Sequence, residues 1–221
     1  MPRKNTFAVI GLGRFGKAVC QELVNLDVDV LAIDVNEEVI KSVSHLVSHA
    51  MICDTTDEEA LKNIGIQNID HVIVAIGDNI QNSILTTLLL NELGVKEITV
   101  KAQNEYHEKV LKKIGADHII HPEKEMGRRV AKRISSSNIS EYFELSDEYS
   151  IIEVKATGKV VGRSLSDLDL RSRYGVNIVA LNRSEVLIVP DPNESIMSTD
   201  ELIVVGENKA IEKFQKNMLN Q

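Results

Sequence analysis

Six residues near the start of the chain, Gly11-Leu12-Gly13-Arg14-Phe15-Gly16, have the types and spacing to hold a phosphate group. Gly11 permits a tight turn, Gly13 lets a pyrophosphate approach the backbone, and Gly16 allows a helix to pack close to a strand. A bare GxGxxG is weak, but here it follows the apolar run Phe7-Ala8-Val9-Ile10 and opens an amphipathic stretch through Ala18, Val19 and Leu23. Phosphates would then lie on the positive end of that helix. The next β-branched run ends in Asp34, 18 residues after Gly16, where a carboxylate accepts the hydroxyl hydrogens of an adenosine ribose. A 2′-phosphate would meet that anion unfavourably, which disfavours NADP and leaves ATP, ADP and NAD(H).

Further candidates follow from the rule that ligands lie beyond the carboxyl ends of parallel strands. Asp54-Thr55 and Ala75-Ile76-Gly77-Asp78 fall near the expected adenine and ribose edges. Arg14 is placed to reach phosphates; Lys101 is either a second such cation or a solvated surface charge. Glu123 is either a helix-start acid or a ligand for a hard cation, Mg²⁺ or Ca²⁺, accompanying the nucleotide. All six histidines (His45, His49, His71, His107, His118 and His121) precede residue 122 and read as packing or surface residues. A dehydrogenase would need an acid-base group from a substrate domain, and residues 141–221 contain no histidine. With no GxSxG, HExxH or P-loop pattern either, the expectation is a binding protein and not an enzyme.

The elements that must position these residues are legible as alternating strand and helix patterns. Apolar runs at Phe7–Ile10, Val30–Ile33, Ala50–Ile52, Val72–Ile76, Ile98–Val100 and His118–Ile120 suit parallel strands buried on both faces. Between them Asn36, Thr56 and Asp78 are expected helix N-caps, the last two by capping-box spacing to Glu59 and Gln81. The fold class is α/β, a Rossmann-like doubly wound parallel sheet over residues 1–122. A crossover helix and linker over 123–140 ends in Ser135-Ser136-Ser137-Asn138. A small α+β domain over 141–221 follows, with strands at 151–154, 177–181, 186–189 and 202–205, a hairpin at Asn182-Arg183-Ser184-Glu185, and a helix over 209–219.

Composition narrows the function classes. A net charge of −8, no Trp and 4% aromatic residues disfavour nucleic acid as a partner, since neither a basic footprint nor a stacking platform is available. No apolar run reaches the roughly 18–20 residues of a membrane span, and Met1-Pro2-Arg3-Lys4 leads into a strand and not a signal peptide, so a cytoplasmic location is expected. Cys20 and Cys53 lack metal-site spacing and read as small core residues.

Four stretches together resemble one family: Phe7–Gly16, His71–Gly77, Val100–Asn104, and Ile114–Asp117 continuing to His121-Pro122-Glu123. They are similar to the RCK (KTN) regulators of potassium channels and transporters, above all the regulatory subunits of Ktr-type bacterial potassium uptake systems. The resemblance spans essentially the whole chain. It implies dimers assembling into a homo-octameric ring, docked at the inner face of the cell membrane on an integral-membrane potassium-translocating subunit. It also implies ATP and ADP competing in the first lobe, with Arg14 near the terminal phosphates, Asp34 on the ribose and Glu123 on a divalent cation. A second, inhibitory ligand, cyclic di-AMP, is implied for the C-terminal lobe. Arg171, Asn177 and Ile178, with Leu168 and Pro190 nearby, offer the cation, amide and apolar slot it requires. An NAD(H)-binding redox sensor or dehydrogenase-like protein is the alternative reading, because Asp34 and the glycine loop suit NAD equally well.

Overall fold

The computed structural model describes residues 5–135 and 138–219; the expected N-terminal lead Met1–Lys4 and the Ser136-Ser137 linker lie outside them. Six short strands carry the first sheet: β1 (Phe7–Ile10), β2 (Val30–Asp34), β3 (His49–Ile52), β4 (His71–Val74), β5 (Ile98–Lys101) and β6 (His118–Ile120). They pair in parallel in the order β3-β2-β1-β4-β5-β6, the doubly wound arrangement the alternation predicts. The chain therefore leaves β1 towards one edge and returns from β3 to β4 towards the other, opening a crevice beyond the carboxyl ends of β1 and β4.

Helices α1 (Arg14–Asn25), α2 (Glu37–Val43), α3 (Glu58–Asn63), α4 (Ile80–Glu92) and α5 (Glu105–Lys113) connect the strands. Side chains alternate across each strand, so the sheet feeds two cores. Val9, Ala32 and Ile73 pack with Cys20, Ile40 and Val43 of α1 and α2, whereas Ile10, Ile33, Val74 and Val100 pack with Leu61, Leu90 and Leu111 of α3, α4 and α5. Burial pushes the Cys20 thiol up to about 11, as suits a core residue. β3 departs from the expected two-sided burial: Met51 and Ile52 are exposed because this strand is the sheet edge.

Two helix starts also differ from the sequence expectation. Asn36 caps α2 by accepting the Glu38 and Val39 amides, but α3 is capped by Asp57 and α4 by Asn79. Thr56 instead gives its amide and hydroxyl to Asp54, which leaves Asp57 to accept from Glu59 at 2.9 Å. Asp78 stands one residue too early; Asn79 reaches the Asn82 amide at 3.0 Å.

The chain divides into two compact units, 1–122 and 123–221. In the second, α6 (Pro122–Ser135) precedes an antiparallel sheet of β7 (Ile139–Glu144), β8 (Tyr149–Lys155), β9 (Val176–Arg183), β10 (Val186–Ile188) and β11 (Asp200–Glu207), ordered β10-β9-β11-β8-β7. β7 begins inside the stretch read as linker, because its alternation is masked by polar residues at Ser140 and Glu141. α6 meets β7 through Arg128–Glu144 and Arg129–Glu141 ion pairs, with the Arg129 guanidinium over the Phe143 ring. One face of this sheet packs Ile152, Val154, Leu181, Leu202 and Val204 against α7 (Leu165–Leu168), α8 (Leu170–Tyr174) and α9 (Asn208–Phe214). The expected 209–219 helix is α9 followed by a wider turn over Gln215–Leu219. β9 and β10 join through Ser184 and Glu185, both with positive φ, as a two-residue hairpin of this twist demands.

Candidate nucleotide-binding site

The glycine loop sits where β1 hands over to α1. Gly11 has φ +88°, and a Cβ there would meet the Ile76 amide nitrogen at 3.0 Å. A Cβ on Gly16 would lie 2.0 Å from the Gly11 carbonyl oxygen, so only glycine lets α1 start this close to the strand. Gly13 differs: nothing lies within 4 Å of its would-be Cβ, and the space is open to a ligand. No side chain caps α1 and no acid occupies its first turn. An uncapped, acid-free helix N-terminus behind an open glycine has the donor set an anionic phosphate needs.

Asp34 ends β2 and faces back onto this loop. Its Oδ2 accepts the Leu12 amide at 2.7 Å and its Oδ1 the Asn36 amide at 2.9 Å. The carboxylate is thus fixed by two main-chain donors while further lone pairs stay available for hydroxyl hydrogens. The Leu12 link is a part of the site that residue types cannot reveal, because a backbone amide carries no sequence signal.

The other expected residues divide. Ala75, Ile76 and Gly77 follow β4 beside the loop, Ala75 being in contact range of Gly16. The Lys101 ammonium reaches within 3.6 Å of the would-be Gly77 Cβ and lies 5.9 Å from the centroid of the Phe15 ring, so both residues border the crevice. Arg14 is exposed at the first position of α1. Asp54 lies two residues past the end of β3 and is held below the ordinary carboxylate range by the Thr56 hydroxyl and amide. Thr55 is a correction: it is buried and its hydroxyl bonds that of Thr86 on α4 at 2.9 Å, so its side chain holds the fold together. Glu123 is exposed in the first turn of α6, within the second unit, and among the described residues no group of three or more His, Cys, Asp or Glu is arranged to hold a metal.

In the second unit a cleft of about 190 Å³ brings together Arg171, Asn177 and Ile178, as expected, with Leu165, Ser166 and Asp169 added. Leu168 does not line it, because its side chain is fully buried in the core, and Pro190 is not among the lining residues. Asp169, with φ 42°, turns the chain between α7 and α8. Its carboxylate accepts the Ser172 hydroxyl at 2.7 Å.

These features define a protein with a Rossmann-type nucleotide-binding unit followed by a small antiparallel unit. Residues 7–122 match the TrkA-N domain and residues 149–219 the TrkA-C domain. The chain belongs to the RCK family of Ktr-type potassium-uptake subunits. It is 54% identical over 218 residues to the Ktr system potassium uptake protein C of Bacillus subtilis (strain 168), covering 98% of this chain and 99% of that protein. It is 48% identical over 214 residues to the Ktr system potassium uptake protein A of the same organism, covering 96% of each. Among solved structures, the GsuK channel bound to NAD superposes with a TM-score of 0.71 at 13% identity, covering all of this chain and 40% of that one. That likeness concerns the fold. Among the described residues no helix is long and apolar enough to cross a membrane.

Proposed function

We propose that the chain is the adenine-nucleotide-sensing regulatory subunit of a Ktr-type potassium uptake system and performs no catalysis itself. The observation that carries this reading is the open Gly13 and uncapped α1 N-terminus facing a fixed Asp34, in a chain similar over its whole length to Ktr uptake proteins. The α1 amides take the phosphates, Arg14 the terminal one, Asp34 the ribose, and Asp54 with Ala75–Gly77 flank the nucleoside. Lys101 supplies a second cation at the crevice, and Glu123 contributes to a site for Mg²⁺ or Ca²⁺. The subunit sits in the cytoplasm, in dimers assembled to an octameric ring on the membrane-embedded translocating subunit.

A nucleotide shifts such a ring only by binding two of its states unequally. One phosphate more or less beside Arg14 provides that inequality between ATP and ADP. The second-unit cleft takes cyclic di-AMP. At about 190 Å³ it is smaller than the roughly 300 Å³ and more of an enclosed small-molecule pocket. A two-fold ligand shared by two lobes of an isologous dimer would need only half a site from each.

Calorimetric competition on the purified full-length protein tests this. ATP and ADP should displace each other, and Asp34→Ala should weaken both alike by about tenfold or more, the scale of a charge-assisted hydrogen bond. Arg14→Ala should cost ATP more than ADP, and ATP should leave cyclic di-AMP binding unchanged. Tight NAD(H) binding that ATP cannot displace would overturn the proposal in favour of a redox sensor.

A further inference from the structure

Beyond Lys101 the chain passes from β5 to α5 through Ala102, Gln103 and Asn104, and one buried imidazole holds that turn. His107, in the first turn of α5, is 2% exposed. Its Nδ1 accepts the Gln103 amide at 3.3 Å, while its own amide donates to Asn104 Oδ1 at 2.9 Å. An acceptor at Nδ1 places the ring proton on Nε2, and Nε2 has no hydrogen-bond partner. The turn is otherwise tied by the Ala102 amide, which donates to the Ile120 carbonyl at 2.9 Å.

Burial and the His121 imidazole both oppose a second proton on this ring. Burial is the largest influence and the His121 imidazole at the end of β6 the next, and together they hold the His107 pKa below its ordinary value of 6.5. The positive end of α5 acts in the same sense. Of the first-turn acids of α5, Glu108 is engaged by Lys112 at 2.5 Å and His121 at 2.8 Å, and Glu105 is exposed at the helix start. The incoming proton would also land on Nδ1 itself, setting an N–H against the Gln103 N–H. Protonation and the Gln103–His107 hydrogen bond are therefore mutually exclusive.

We infer that His107 is a proton-sensitive positioning residue: as a neutral imidazole it holds the β5–α5 turn, and with it Lys101, at the nucleotide crevice, and on protonation it lets the turn go. The nucleotide consequence rests on the function proposed above; the hold on the turn does not. Acidification is thus a second input to the same site, weakening nucleotide binding with no competing ligand.

The test follows three signals in the full-length protein between about pH 7.5 and about pH 5.5, either side of the ordinary histidine value. They are the ¹⁵N shifts of the His107 ring, the exchange protection factor of the Gln103 amide, and the ATP affinity. His107 should appear as the Nε2–H tautomer and titrate below ordinary histidine, with Gln103 protection falling by about tenfold per pH unit below its folded pKa. His107→Asn keeps an acceptor close to the Nδ1 position but cannot titrate, so it should retain Gln103 protection and lose the acid-dependent part of the affinity change. The inference is overturned if His107 titrates at or above the ordinary value, if Gln103 protection ignores pH, or if His107→Asn keeps the acid response. Should that variant fail to fold, the wild-type ring and amide signals alone decide. A protein that binds no nucleotide at any pH defeats the function reading, while those two signals still settle the role of His107.

Discussion

The first unit forms its candidate site largely from main chain, whereas the second forms its cleft from side chains. In the first, the donors are the amides at the α1 N-terminus, and the shape comes from glycines whose Cβ atoms would strike neighbouring backbone or fill the ligand's space. In the second, Arg171, Asn177 and Ile178 supply cation, amide and apolar contact over a core that contributes only support. The lesson is that a backbone site tolerates almost no change at a few small positions. A side-chain site shifts that intolerance to the charged residues bracing its scaffold. Titration divides the same way: every histidine lies in the first unit, and the second relies on arginine–carboxylate pairs.

The sharpest break of this contrast should come from Asp200→Ala. Asp200 has no exposed side-chain surface and pairs with Arg183 at 2.8 Å, which holds its carboxyl below the ordinary range. Removing it leaves Arg183 with only Glu194 and the Ser195 carbonyl, and leaves the Met197 amide without its acceptor; several charge-assisted hydrogen bonds go at once, each worth about 1.5–3 kcal/mol. Thermal or urea unfolding should show the loss in the second unit, with ATP binding kept; an unfolding midpoint within error of wild type would refute the bracing role.

Gly16→Ala should cost less in stability, about 1–3 kcal/mol for an overpacked contact, yet abolish the first-unit site. Its Cβ can be accommodated only if α1 retreats from the Gly11 carbonyl. Calorimetry should then detect no ATP, while cyclic di-AMP binding stays. Wild-type ATP affinity in this variant would mean that the loop geometry is not what binds.

The smallest effect is the most discriminating between the units. His71 and His107 both have lowered pKa values, burial being the main cause in each. A folded pKa below the unfolded one means that the unfolded chain takes up protons first as pH drops. Their stabilising contribution is therefore full above about pH 6.5 and declines as pH falls from there through the lower folded values. Asp200 acts in the same direction but only in the carboxylate range, near and below pH 4. Unfolding followed with a reporter in each unit should show the first weakening near pH 6 while the second is unmoved. Joint weakening at that pH would show that the two do not respond separately.

Residue types and spacing alone determined much of this protein. A parallel, doubly wound sheet follows from alternating apolar runs and amphipathic stretches, since only helices on both faces cover such a sheet, whereas its strand order is set by the fold. The expectation of an adenine nucleotide rests on Gly11, Gly13, Gly16 and Asp34, whose spacing is tied to one strand–turn–helix geometry. Tertiary structure decided what depends on direction in space. It turned Thr55 towards Thr86 and away from the crevice, sank Leu168 into the core, and gave the caps of α3 and α4 to Asp57 and Asn79. It also drew a strand from the polar stretch at Ile139–Glu144, because pairing with β8 and ion pairs to α6 outweigh a weak local pattern. The Leu12 amide on Asp34 and the Gln103 amide on His107 belong to the same category. A backbone donor has the same chemistry at every residue but proline, so only the folded chain can say which side chain it meets.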